Sequence, residues 1–449
     1  MTDSDYRDST DMLVPLHRRN YVLGIVNGVL VAVGTRMADP MTVLPLLLVR
    51  LTGATWPVGL LQAIVIVGPA VSAVFASRFV DTAQRKLPIF INYSIIRFTA
   101  ITVMALGVLL GHHMSPLLVA GLLLVCYAAY VTAMGVSTMA FVDIVAKSTP
   151  TTKRGSFWMW RQTVGAILTL AVAVPLIRYM TGAHWAGRFP ANYGLLMLIS
   201  ALVLGVSWLV YGFVHEPPGR PAHHRLTLRQ QVARGARFWR HDMRYRRMIR
   251  VLLLCSSAGA VGPFFTAFAV RVWDFPDTVA AAFVTVQILA LMAGAVLQGW
   301  ISDRHGNRKV LIVAAFAALF TAGVAAGGSI LAPVGGFEFL GYPVSYRLLL
   351  MCICFAGSGV FTAQLWVGYM NYIMDIAPAR KRPSYVGLTN VFIVPVGLVP
   401  MAYGWLAQTV SFTLVFGIAA ILAAMAVVFS LRMKEPRDDL TIEQLQVFS

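Results

Sequence analysis

The stretch GTRMADP, residues 34–40, sets Arg36 and Asp39 three residues apart between two apolar runs, VNGVLVAV and MTVLPLLLV. On a helix that spacing puts both side chains on one face. A guanidinium and a carboxylate so placed can pair, bind an anion through the arginine, or exchange a proton through the aspartate. A charge at the centre of a bilayer costs at least about 2.5–3.5 kcal/mol on insertion scales, so such residues pair, face inward or line water. Pro40 follows at once and kinks a helix that carries the pair.

The acidic residues narrow the chemistry. Of the 18 Asp and Glu residues, 17 fall in tails, loops or at the ends of spans and only Asp39 falls within one. All nine histidines lie in tails, loops or loop edges. A proton carried by a buried side chain therefore points to Asp39. It would exchange that proton only when the pair with Arg36 separates. Arg97 is a second embedded cation, roughly 14 Å along its helix from Pro88, against roughly 24 Å from Asn20 to Arg36. Two positive charges against one negative suit an anionic solute. The structural alternative is an Arg–Asp–Arg cluster that ties two helices together. Other polar or aromatic candidates for a solute cavity are Asn27, Tyr127, Tyr130, Gln287, Trp366 and Asn371. Helix-packing contacts are the competing reading of each.

The elements that must position these residues are membrane helices. The 449 residues are 58% hydrophobic and 12% charged, with mean hydropathy +0.73. Soluble domains carry about 25% charged residues. Spanning a bilayer takes about 20 apolar residues. Twelve stretches qualify: 20–50, 56–78, 88–110, 115–143, 154–180, 191–214, 248–272, 277–301, 308–330, 345–374, 383–408 and 411–432. No alternating strand pattern interrupts them, so an all-α membrane protein is expected. The N-terminal tail lacks the basic start and short apolar core of a signal peptide, and the first span reads as retained.

The net charge of +18 is a matter of topology. Every second loop is rich in Lys and Arg, and the loop of residues 215–250 holds ten arginines. By the positive-inside rule these loops and both termini are cytoplasmic. No basic soluble domain is present, so no nucleic-acid partner is expected. The expected organisation is a tail (1–19), a six-helix bundle (20–214), a basic linker (215–247), a second six-helix bundle (248–432) and a C-terminal tail (433–449). The linker reads as a basic amphipathic helix on anionic inner-leaflet lipids or as a solvated connector. The four cysteines show neither a zinc pattern nor a disulfide framework. No metal cluster, nucleophile motif or phosphate loop suggests an enzyme or a cofactor.

The two bundles repeat each other. SRFVDTAQRK (77–86) overlays GWISDRHGNRK (299–309), with Asp81 on Asp303 and Lys86 on Arg308. FVDIVAKSTPTTKRGSFW (141–158) resembles IMDIAPARKRPSYV (373–386), with Asp143 on Asp375. Two six-span halves related by a parallel repeat are one way transporters are built.

On these residues the chain resembles the major facilitator superfamily over nearly its whole length. That family's loop signature is G-x-x-x-D-R-x-G-R-[RK]. The second copy is Gly299, Asp303, Arg304, Gly306, Asn307 and Arg308, departing only at Asn307. The first copy keeps Asp81, Arg85 and Lys86 but has Ser77, Thr82 and Gln84. The resemblance implies two pseudo-symmetric six-helix bundles around a central cavity. It implies a cytoplasmic gate in which Asp81 and Asp303 face helix N-termini, Arg85 pairs with Asp143, and Arg154, Asp375 and Arg382 take part. Asn307 removes the charged partner expected for Asp375, leaving Arg304 or Arg308 to substitute. Together with the embedded charges it points to a monomeric transporter of a small anionic or amphipathic solute in an inner membrane, with Asp39 as the candidate for proton coupling. The alternatives are a uniporter, an anion exchanger, or a non-transporting sensor or assembly partner. The fifth span lacks the glycine-proline motif of drug–proton exporters.

Overall fold

Apolar helices dominate the chain because a backbone in hydrocarbon must satisfy its own hydrogen bonds. The computed structural model describes residues 3–80, 83–149, 153–218, 242–332, 334–339, 342–377 and 382–436. Eleven helices among them are long and apolar enough to cross a membrane. The second expected span corresponds to helix α3 (Trp56–Val80), whose shorter apolar helical stretch is Trp56–Ser72. Residues 219–241 of the linker and the tail beyond 436 lie outside the described residues. The first helix, α1 (Asp3–Met37), reaches back through the polar N-terminal tail.

In chain order the other elements are α2 (Val43–Thr52), α4 (Leu87–Leu109), α5 (Pro116–Ser148), α6 (Arg154–Leu168), α7 (Val174–Met180), α8 (Ala191–Gly212), α9 (Met243–Gly259), α10 (Gly262–Arg271), α11 (Val279–His305), α12 (Asn307–Leu331), α13 (Tyr346–Ile376), α14 (Arg382–Ile393), α15 (Leu398–Thr409) and α16 (Phe412–Leu431). One departure from an all-helical chain is a hairpin between α12 and α13. Its strands β1 (Gly336–Phe339) and β2 (Tyr342–Ser345) pair antiparallel, with Phe337 opposite Val344. The hairpin lies outside the candidate spans, where water can satisfy strand edges that lipid cannot.

Several spans are interrupted, at corresponding places in the two halves. The first breaks over residues 38–42, around Pro40, and the seventh breaks at Ala260–Val261 before Pro263. The fifth carries a π segment, Thr169–Ala173, ahead of Pro175. The eleventh carries a 3-10 turn, Val394–Gly397, containing Pro395. Proline removes a helical N–H and crowds the preceding turn, which is the usual cause of such breaks. The repeat read in the loops thus extends to helix irregularities.

The chain falls into two compact units. Unit 1 comprises residues 1–39 and 68–225. Inside it α1 packs on α6 and α8, and α4 packs on α5 and α8. A Cβ at Gly24 would meet the Phe157 ring, and one at Gly194 would meet the Leu109 backbone, so these glycines permit close helix approach. Unit 2 comprises residues 40–67 and 226–449. Here α13 packs on α11 and α12, and α16 packs on α9 and α12. Segment 40–67 packs on the same body: Gly59 lies against the Pro400 carbonyl and Gly404, and the Thr55 hydroxyl donates to the Gly404 carbonyl at 2.9 Å.

Candidate functional site

The break after α1 shapes the first part of the site. Helix α1 ends at Met37 with Arg36 in its last turn, a favourable place for a cation. Asp39 sits in the non-helical bend beyond it. The Arg36 Nη1 donates to Asp39 Oδ2 at 2.8 Å. The aspartate side chain is 6% exposed and the arginine 24%. The pair is thus closed on the carboxylate side and half-open on the guanidinium side.

Arg97 lies elsewhere in unit 1. It is 5% exposed, and its guanidinium donates to the Ser137 hydroxyl at 3.1 Å and the Tyr130 hydroxyl at 3.3 Å, both on α5. It stacks over the Trp208 ring on α8 at 4.3 Å and over Tyr130 at 5.0 Å. Its Nε has no hydrogen-bond partner, and it forms no ion pair with a carboxylate among the described residues. Arg36 and Asp39 thus pair at the helix break, while Arg97 is held by hydroxyls and aromatic faces. Tyr127 and Tyr130 do share a face, with ring centroids 5.7 Å apart.

Asn27 is buried among helices. Its Nδ2 donates to the Ser207 carbonyl at 3.0 Å and hydroxyl at 2.7 Å, and its Oδ1 accepts from Arg161 at 3.0 Å. Arg161 also donates to the Gly24 carbonyl at 2.7 Å and lies 4.6 Å over the Phe141 ring. Its stem lies against Gly28, where a Cβ would collide with it. In unit 2, Gln287 is buried and its Nε2 lies 3.0 Å from the Met41 sulfur. Trp366 is exposed and packs edge-on to Tyr369, while Asn371 is half-buried.

The loop motifs form a network in each unit. In unit 1, Asp143 Oδ2 forms ion pairs with Lys86 Nζ at 3.0 Å and with Lys147 Nζ at 2.7 Å. Lys86 takes the place expected for Arg85, which is exposed: α4 starts at Leu87, and this register turns the adjacent Lys86 inward. Glu216 completes the network. Its side chain, 1% exposed, caps α4 through the backbone N–H groups of Lys86 and Leu87 and pairs with Lys147 at 3.1 Å. In unit 2, the Asn307 side chain donates to Asp375 at 2.7 Å and accepts from Ser302 at 2.8 Å. A neutral amide thus supplies the contact expected of an arginine. Arg304 stacks on Trp300, and Arg308 donates to the Leu431 carbonyl at 2.8 Å. Glu435 accepts from Arg308 N at 3.1 Å and lies against Gly306, whose φ of +82° favours glycine. Asp303 is exposed, and a Cβ at Gly299 would meet open space. Asp81 and the side chains of Arg154 and Arg382 lie outside the described residues.

Sequence reasoning missed Ser137, Trp208, Glu216 and Glu435 as site-forming residues. The glutamates carried a readable signal: a Glu-Pro pair follows the sixth span (HEPPGR) and the twelfth (KEPRDD).

Residues 249–446 match the family model of the Major Facilitator Superfamily. The second half of the chain is thus similar to that superfamily. The fold of the chain is that of solved major facilitator structures. The nucleoside transporter NupG aligns with TM-score 0.68 at 13% identity, over 94% of this chain and 100% of that one. A bacterial homologue of the iron transporter ferroportin, in an inward-facing state, aligns with TM-score 0.66 at 15% identity, over 92% and 98%. The xylose transporter XylE from E. coli aligns with TM-score 0.64 at 11% identity, over 95% and 100%. No curated protein sequence matches. With eleven helices among the described residues long and apolar enough to cross a membrane, and with this family match, it is a multi-pass membrane protein.

Proposed function

We propose that this chain is a secondary transporter that moves a small anionic or amphipathic organic solute across an inner membrane by alternating access. The observation that carries the reading is the Arg36–Asp39 pair, its carboxylate buried, at the break in the first span. A broken helix presents charged side chains and free backbone groups at membrane depth, which is where transporters of this build place solute and ion sites. Arg97 adds a second buried cation to the same unit. Unit 1 therefore favours an anionic group of the solute. The Lys86–Asp143–Lys147–Glu216 network and the Asn307–Asp375 contact are the cytoplasmic gate, with the basic loops and both termini on that side.

Coupling to protons runs through Asp39 in this reading. The 2.8 Å contact with Arg36 favours a second reading, an anion exchanger or uniporter in which Asp39 only orients the arginine. Counterflow in proteoliposomes separates them, because exchange needs no driving force. Wild type, Arg36→Ala and Asp39→Asn are screened against a panel of anionic and neutral metabolites. Loss of anion exchange in Arg36→Ala, with exchange kept but pH-driven accumulation lost in Asp39→Asn, supports coupled transport. Accumulation kept in Asp39→Asn supports the exchanger. Exchange unchanged in both variants removes the pair from the solute path, and no counterflow of any solute removes transport itself.

A further inference from the structure

An apolar groove of about 570 Å³ runs along the outer surface of unit 1 between α4 and α8. Its size falls in the ~300–1,000 Å³ range of small-molecule sites. Ile91, Ile95 and Phe98 form one wall, and Val206 and Leu209 form the other. Most of these side chains are exposed, so the groove opens sideways rather than into the bundle. Gly205 and Gly212 leave room in the α8 wall. From Leu202 to Gly212 it follows ten residues of helix, about 15 Å.

Two features make this groove more than a lipid-facing crease. The first is Ser94. It lines the groove, is 4% exposed, and its hydroxyl has no hydrogen-bond partner. A helical serine usually bonds a carbonyl one turn back, and a buried hydroxyl left unpaired is costly. A rotation of this short side chain toward the groove would let it donate to an occupant with an acceptor oxygen. The second feature is Arg19, at the end of the groove nearest the basic loops. Asn20 is pinned to His215 by reciprocal hydrogen bonds of 2.9 and 3.0 Å. That anchor brings the exposed Arg19 onto the carbonyl of Phe213, which forms the groove's end, at 3.3 Å. Only one of the guanidinium's five donors is used in that contact. Arg18, beside it, is also exposed.

An apolar trough, an acceptor-seeking hydroxyl part-way along and a cation at the mouth fit one class of molecule. We propose that the α4–α8 groove binds a single anionic glycerophospholipid from the leaflet that faces the basic loops. Its phosphate meets Arg19, an ester carbonyl accepts from Ser94, and one acyl chain lies along Ile95, Phe98 and Val206. Trp208 shares this groove and also stacks on Arg97, so an occupant presses on the ring that holds the buried cation.

The test uses the purified full chain and native mass spectrometry. Phosphatidylglycerol and phosphatidylcholine with identical acyl chains are added, and retained lipid is counted. Wild type is expected to hold one phosphatidylglycerol about tenfold more firmly than phosphatidylcholine, the size of one hydrogen bond to a charged group. Arg19→Gln, at an exposed position, is expected to erase that preference. Gly212→Leu is expected to reduce retention of both lipids, since a Cβ there meets only Ile91, at 3.8 Å, and the added bulk fills the groove. Melting temperatures confirm that the variants are folded. Should Gly212→Leu fold poorly, quenching of tryptophan fluorescence in wild type by the two lipids brominated on the acyl chain decides instead, with stronger quenching by phosphatidylglycerol expected. Equal retention of both lipids by wild type, equal quenching, or an anionic preference that survives Arg19→Gln would overturn the proposal.

Discussion

The carboxylate of Glu216 accepts hydrogen bonds from the backbone N–H groups of Lys86, 130 residues earlier, at 2.9 and 2.7 Å, and of Leu87 at 2.6 Å. It therefore neutralises the positive end of α4 with a full charge, in a place closed to water. Glu435 does the corresponding work at the start of α12 through Arg308 N. The end of the last span in each half is thus fastened to the start of its third.

The first prediction concerns this fastening. Glu216→Gln removes the charge that the helix end and Lys147 both use. Hydrogen bonds to a buried charge are worth about 1.5–3 kcal/mol. The variant should melt measurably below wild type in detergent. Glu435→Gln should melt lower too, since it removes the charge that caps the start of α12. An unchanged melting temperature in Glu216→Gln would mean that the cap contributes nothing net.

A second prediction tests how Arg161 is seated. Its aliphatic stem crosses α1 at Gly28, where a Cβ would collide with it, and its tip donates to Gly24 and Asn27. Gly28→Ala should displace the stem and cost about 1–3 kcal/mol, as overpacking does. The collision is with one side chain, so Arg161→Ala should make Gly28→Ala nearly neutral in the double variant. A double-mutant cycle of melting free energies reads that coupling. Additive losses would place the strain elsewhere.

How much of this was legible in the sequence depended on the kind of contact. Helices followed from apolar length, and the Arg36–Asp39 pair followed from a three-residue spacing, because both are local. The partners of Arg97 were not legible: Ser137 and Trp208 lie 40 and 111 positions away on other helices, and nothing in their own neighbourhoods marks them. The exchange of Arg85 for Lys86 opposite Asp143 turns on where α4 begins, a one-residue matter that composition does not fix. Asn307 looked like a lost contact because charge was taken as the requirement, whereas geometry needs only a donor within reach of Asp375. The hairpin at Gly336–Ser345 escaped because four-residue strands are too short for alternation to stand out.

A third prediction addresses unit 2. Arg50 donates to Asp277 at 2.9 Å and to the Phe275 carbonyl at 2.9 Å, and with Thr55 on Gly404 and Gln408 it ties segment 40–67 to the loop after α10 and to helix α15. Thr55 is fully buried. In a Thr55→Cys protein, a membrane-impermeant maleimide should react slowly. Adding Arg50→Ala should speed that labelling by a few fold, since a part-exposed ion pair is worth only about 0.2–1 kcal/mol. The same rate in both backgrounds would show that the segment is held without Arg50.

The last prediction separates binding from folding at Arg97. Its guanidinium is fixed by two hydroxyls and two aromatic faces rather than by a carboxylate. A desolvated cation–π contact is worth about 2 kcal/mol or more, so Trp208 is a principal counterweight to burying the charge. Arg97→Met removes the charge while keeping a long apolar stem. It should fold as well as wild type or better, because the desolvation cost disappears with the charge. If the buried cation serves an anionic solute, the same variant should lose anion counterflow at an unchanged melting temperature. Arg97→Lys should keep part of the exchange, since an ammonium preserves the charge but not the planar stacking on Trp208. Full exchange in Arg97→Met would make Arg97 a purely structural residue and leave anion recognition to Arg36.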